Sequence, residues 1–109
     1  METALKIVYI GNSAESIASL RACREFSVTV QANLLDAENY LLSGQVPDSI
    51  FCELVLSGGD GLKMHDWVRN RPQLNHVSFV LITHEFKEEI YKEAFKRRID
   101  DYFVIPLPA

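Results

Sequence analysis

This chain is short of cations, of cysteine and of long apolar runs. Lys and Arg number 11 against 15 Asp and Glu, for a formal net charge of -4. That balance gives no electrostatic argument for nucleic acid or an anionic membrane surface as a partner. Cys23 and Cys52 are the only cysteines. Two widely spaced thiols do not make a disulfide framework, so a reducing compartment is the simpler setting. The N-terminus lacks the apolar run and small-residue cleavage pattern of a secretory signal. No stretch approaches the roughly 18 continuous apolar residues of a membrane span. The expectation is a cytoplasmic protein, or a cytoplasmic domain of something larger, contacting neither nucleic acid nor membrane. The three histidines and two cysteines show no metal-ligand spacing, and no Ser-His-Asp or Cys-His arrangement stands out. No metal, cofactor or catalytic residue is therefore expected.

What is present suits one small folded domain over residues 1–109. Hydrophobic residues make up 48% of the chain, and 5 Gly and 4 Pro are no enrichment. "LKIVYI" (Leu5–Ile10) is almost wholly apolar and rich in β-branched residues, as in a strand covered on both faces. Asn12, with Glu15 three residues on, reads as a capping box for a helix running to about Arg24. Phe26–Ala32 is the second strand. Asn33 caps the next helix, Leu34, Ala37 and Leu41 form its apolar stripe, and Gly44 ends it in a left-handed position. The third strand is Ile50–Leu56, followed by a glycine loop and a short helix stopped by Pro72. Val77–Thr83 is the fourth strand. "HEFKEEIYKEAFKRR" is the clearest helix, with Phe86, Ile90, Ala94 and Phe95 inward and Glu88–Lys92 and Glu93–Arg97 as i,i+4 pairs. "DDYFVIPLP" is the fifth strand, ending at Pro106.

Strands and helices thus alternate, with crossovers long enough for parallel units. The chain stops just after the fifth strand, so one sheet face is expected to be undercovered. That favours the N-terminal part of a longer protein, and exposed apolar area would invite a partner.

"PDSIFCELVLSGGDGL", Thr83 at the end of the fourth strand and "DDYFVIPL" together resemble a response-regulator receiver domain. The resemblance runs from Lys6 to Pro108. Asp60-Gly61 keeps the family's Asp-Gly, while Ser57-Gly58 replaces its Pro-Gly. It implies a flavodoxin-like (CheY-like) fold: a doubly wound, parallel five-stranded sheet of order 2-1-3-4-5, with the family's final helix missing from this chain. Its active edge would lie beyond the strand C-termini. It also implies a phosphoacceptor aspartate, an acidic pair holding Mg²⁺, a Thr or Ser, and a Lys. Phosphoryl transfer needs these because a hard cation takes oxygen ligands and the transferring group's charge must be neutralised.

At those positions stand Glu53 for the nucleophile, Gly11 and Asn12 for the acidic pair, Thr83 for itself, and Ile105 for the lysine. One of five key groups is kept. The resemblance therefore implies a degenerate, or pseudo-, receiver: a non-catalytic signalling domain of a two-component-type pathway. It would act by contact with a protein partner or a C-terminal effector domain, with a homodimer as a further form. Rival readings are an unorthodox active phosphoacceptor and a small-molecule module reusing the pocket. Glu53 itself has three readings. It is a solvent-facing strand end, a fixed charge imitating phosphate and bonded to Thr83, or a vestige in a redirected pocket.

Tyr102, with Lys92 and Lys96, marks the expected signalling surface on the fourth helix and fifth strand. His65 reads as a packed core histidine, His84 as a helix-start side chain and His76 as a loop residue. Arg98 stands where the family usually has a helix-ending Gly. It implies either a different termination or a strained left-handed residue. "GNS" and "SGGDG" follow strands, but neither is a phosphate-loop fingerprint.

Overall fold

Side chains of successive strand residues point to opposite faces of a sheet, and here both faces are apolar. The computed structural model describes residues 4–105. Its sheet is built from β1 (Leu5–Ile10), β2 (Phe26–Gln31), β3 (Ser49–Glu53), β6 (Ser78–Thr83) and β7 (Asp101–Val104). Their order is β2-β1-β3-β6-β7, and every neighbouring pair is parallel. Counted over these five strands, that is the expected 2-1-3-4-5 order. The helices are α1 (Ala14–Arg21), α2 (Leu34–Leu42), α3 (Gly61–Arg69) and α4 (Glu88–Lys96). Pro106, the expected end of the last strand, lies outside the described residues.

The two faces are covered unequally. Val8 and Ile10 of β1, Ile50 and Cys52 of β3, and Phe79 and Leu81 of β6 point one way. They meet Ala37 and Leu41 of α2, Met64 and Val68 of α3, and Ala94 of α4. The intervening residues Tyr9, Phe51, Val80 and Ile82 point the other way, where α1 brings Ile17 and Leu20. No residue of α1 is itself buried. Phe103 remains 49% exposed beside it. A groove of about 490 Å³ therefore runs between α1 and β7, lined by Leu20, Phe51, Ile82, Phe103, Val104 and Ile105.

Several boundaries differ from expectation for local reasons. Ser13, not Asn12, caps α1, accepting a hydrogen bond from the Ser16 N–H at 3.4 Å. The third strand stops at Glu53. Leu54 then donates to the Ile82 carbonyl at 2.7 Å. The next residues turn into a small antiparallel hairpin, β4 (Val55–Leu56) with β5 (Gly59–Asp60). Asp60 caps α3 by accepting from the Lys63 N–H at 2.9 Å. The fourth helix begins four residues late, at Glu88, and its N-cap Lys87 supplies no side-chain bond. Phe86 therefore precedes the helix and is exposed, as is Phe95, so neither joins Ile90 and Ala94 on the core side. Asn33 caps α2 and Gly44 follows it at φ +98°, as the sequence predicts.

The end of α4 carries a backbone cost. Arg98 has φ +58° and is the described non-glycine residue with positive φ. Its N–H donates to the Phe95 carbonyl at 3.0 Å, and the Ile99 N–H to the Ala94 carbonyl at 3.1 Å. That bond pair is the Schellman termination, which favours glycine at the left-handed position. A left-handed L-residue costs roughly 1–2 kcal/mol. Arg98→Gly should thus stabilise the domain by about 1 kcal/mol, read as a higher midpoint of urea unfolding with unchanged slope.

Candidate functional site

Glu53 ends β3 on the α1 side of the sheet, in register beyond Ile10, which pairs with Cys52. It is not solvent-facing: only 5% of the residue is exposed. Its Oε2 accepts the Tyr9 hydroxyl at 2.5 Å and the Ser13 backbone N–H at 2.8 Å. Burial and the neighbouring Glu53 carboxylate push the Tyr9 phenol well above its ordinary value, so it stays protonated and donates. The carboxylate thereby ties β1, β3 and the entry to α1 together. Hydrogen bonds to a charged group contribute roughly 1.5–3 kcal/mol each.

Gly11 makes this arrangement fit. It sits at φ +140°, and a Cβ built there would lie 2.2 Å from Glu53 Cδ and 2.5 Å from Oε2. The glutamate's extra methylene, relative to aspartate, carries its carboxyl back over the end of β1 into the space a Gly11 side chain would need. The two positions are thus sterically coupled: one gives up a side chain where the other lays its carboxyl.

The other expected site residues are dispersed. Thr83 is buried, but its hydroxyl donates to the Glu85 carbonyl at 3.1 Å and accepts from the Glu85 N–H at 3.4 Å. The Glu53–Thr83 hydrogen bond of one of the three readings is not formed; the Thr83 hydroxyl serves this local turn instead. Thr83 and Glu53 still line one small cavity of about 140 Å³, with His84 and Lys87. Gly11 and Asn12 instead line a groove between α1 and β2, and Asn12 is exposed. Ile105 belongs to the apolar groove between α1 and β7, its N–H bonded to the Thr83 carbonyl at 2.7 Å.

Such a site does not fit Mg²⁺. A hard cation wants several anionic or carbonyl oxygens converging on one point. Gly11 has no side-chain oxygen, Asn12 offers a neutral amide at the surface, and Glu53 Oε2 already holds two donors. Among the described residues no group of three or more His, Cys, Asp or Glu is placed to hold a metal. Cys52 lies next to Glu53 but is sealed in the core, where burial and the Glu53 and Asp60 carboxylates push its thiol far above the usual range. It is therefore inert as a nucleophile.

On the opposite edge, Tyr102 stands edge-on to Tyr91 at 5.5 Å and to Phe86 at 6.3 Å between ring centres. Its hydroxyl is enclosed without a hydrogen-bond partner among the described residues. Lys92 pairs with Glu88 at 3.3 Å and Lys96 with Glu93 at 3.5 Å, all along the exposed side of α4. Sequence reasoning missed Tyr9 and Ser13. The signal for Tyr9 was a polar tip inside an apolar strand run, two residues before Gly11, where a buried hydroxyl needs a partner.

No family model and no curated protein matches this chain. Solved structures do. A two-component response regulator from Clostridium difficile is 26% identical, over 95% of this chain and 85% of its own, with a TM-score of 0.80. The chemotaxis response regulator CheY4 of Vibrio cholerae is 17% identical, over 96% and 89%, with a TM-score of 0.82. The receiver domain of a Pseudomonas aeruginosa sensor histidine kinase, which holds a magnesium ion in its active-site cleft, is 16% identical over 97% and 88%, with a TM-score of 0.79. The fold is that of response-regulator receiver domains.

The coupling of Gly11 to Glu53 is measurable. Gly11→Ala should cost roughly 3 kcal/mol in the native background, from backbone strain plus the clash. In a Glu53→Ala background the clash is gone and about 2 kcal/mol of backbone strain should remain. Equal costs in the two backgrounds, by urea unfolding of the four proteins, would remove the link. Tyr9→Phe should lose roughly 1.5–3 kcal/mol by the same measurement.

Proposed function

We propose that this chain is a degenerate receiver domain, which has given up phosphoryl transfer and signals by protein contact alone. The observation that carries the reading is the turned-in Glu53 carboxylate, held by Tyr9 and Ser13 over Gly11. A nucleophile must present a free oxygen in line with the phosphoryl group, and displacement of about 1 Å is enough to lose that geometry. Here the carboxylate serves as a structural tether. Ile105 supplies no cation to neutralise developing charge, and the Thr83 hydroxyl is engaged by its own turn. Glu53 in this reading neither receives phosphate nor imitates it, because it does not reach the threonine.

The contact surface is α4 with β7. Exposed Phe86, Tyr91 and Phe95 offer apolar area, and the ion pairs Lys92–Glu88 and Lys96–Glu93 flank them with charge of both signs. Aromatic groups ringed by charge are the usual make-up of a protein-binding patch. The partner is a separate protein in a two-component-type pathway or an effector domain beyond residue 109. The apolar groove between α1 and β7 supports the latter, as a second face on which attached chain would pack.

Incubation with acetyl phosphate and Mg²⁺, followed by intact-mass measurement, tests the central claim. The mass should remain that of the unmodified chain, and beryllofluoride with Mg²⁺ should leave the amide spectrum unchanged. Stoichiometric phosphate uptake that disappears in Glu53→Gln would overturn it.

A further inference from the structure

His65 lies on α3 with 3% of its side chain exposed, edge-on to Phe79 of β6 at 5.0 Å. Neither ring nitrogen has a hydrogen-bond partner among the described residues. An enclosed polar group without a partner is destabilising, so packing alone does not account for a histidine here. One nearby carboxylate is informative. Nδ1 stands 3.7 Å from Asp66 Oδ1, within ion-pair range but too far for a hydrogen bond. Asp66 Oδ1 is already engaged by Arg97, at the end of α4, whose Nε donates at 3.1 Å to Oδ1 and at 3.3 Å to Oδ2. Arg97 also donates to Glu93 at 2.7 Å.

The charged groups facing the ring come from each element around it. Asp66 and Arg69 lie on α3, and Asp100 lies on the link between α4 and β7. Asp100 accepts from Arg69 at 2.9 Å and from the Phe79 N–H at 2.7 Å. Arg97 reaches in from α4. Burial, and next the Arg69 charge, lower the histidine's proton affinity, while Asp66 and Asp100 oppose them.

We propose that His65 is an acid-sensitive latch, which on protonation competes with Arg97 for Asp66 and so uncouples the end of α4 from α3. A neutral ring carries hydrogen on one nitrogen only. Taking a proton from water puts hydrogen on both, so Nδ1 becomes a charged donor facing Asp66 whichever tautomer came before. The imidazolium cannot stay enclosed without a partner. Drawing Asp66 Oδ1 inward by less than 1 Å gives it one (roughly the difference between 3.7 Å and a charge-assisted bond). Arg97 then keeps Glu93 but loses its tie to α3. The folded-state pKa lies below the ordinary 6.5. The unfolded chain therefore takes up the proton first, so the stability is fully present above about 6.5 and is lost as pH falls from there through the lower folded-state pKa. The effect reaches α4 whatever binds there.

Amide and histidine-ring NMR of the ¹⁵N-labelled chain from pH 7.5 to 5 tests this. Amides of residues 93–99 should shift with the His65 ring, sharing one midpoint below 6.5. His65→Leu should abolish those α4 shifts, and His65→Phe, which keeps a ring against Phe79, should do the same. Asp66→Asn should leave the ring titrating while α4 no longer follows. The proposal is overturned if the α4 shifts persist without His65, if the ring titrates with α4 silent in the native chain, or if the fold is lost before any local shift.

Discussion

A single buried carboxylate organises the C-terminal edge of this sheet. Glu53 closes three otherwise loose ends: the hydroxyl of Tyr9, the first free N–H before α1, and the void left by Gly11. Its burial is tolerable because two donors meet one oxygen, which offsets the cost of taking charge out of water. Without the carboxylate, Tyr9 would lose the acceptor that its buried hydroxyl uses, on the more thinly covered face. Glu53, Tyr9, Ser13 and Gly11 thus form one structural unit, while Asn12, Thr83 and Ile105 lie apart from it.

The same interaction bears on the uneven covering of the sheet. One face is closed by α2, α3 and α4, and its interior residues are nearly all inaccessible. The other depends on α1, an eight-residue helix with no buried residue of its own. A helix so weakly packed gains little from burial. The Ser13 N–H bond to Glu53 and the Ser13 side-chain cap on Ser16 anchor its first turn instead. Polar anchoring at one end supplements the partial burial of Ile17 and Leu20, and the flank toward β7 stays open.

Much of the architecture was legible in the sequence because the signals are local. Continuous apolar runs marked buried parallel strands, Asn33 and Gly44 bracketed α2, and the crossover lengths fitted parallel units, while the strand order came from the resemblance to receiver domains. What was not legible depends on through-space coincidence. Asn12 and Ser13 are both good caps, and Glu53's claim on the Ser13 N–H belongs to the tertiary structure. The helical pattern of "HEFKEE" extended too early because Thr83 folds back on Glu85, delaying the first turn of α4 to Glu88. Glu53 was found by position, but its direction required knowing that Gly11 and Tyr9 face it across β1. Spacing within one strand cannot give that.

The two ends of α4 now have different characters. Its beginning has no side-chain cap, and the aromatic group of Phe86, Tyr91 and Tyr102 holds it against β7. Its termination is rigid: a left-handed Arg98, a paired carbonyl set, and Arg97 bonded to both Asp66 and Glu93. The helix is thus held by polar bonds at its C-terminus and by ring contacts at its N-terminus. The residues that set its position are then Arg97 and its carboxylate partners, far from the strand ends where phosphoryl chemistry would act. The clamp at the C-terminus of α4, Arg97 with Asp66 and Glu93, is thus separate from the Glu53 tether at the strand ends. His65, enclosed beside Asp66 without a hydrogen-bond partner among the described residues, is the group the structure places at that clamp.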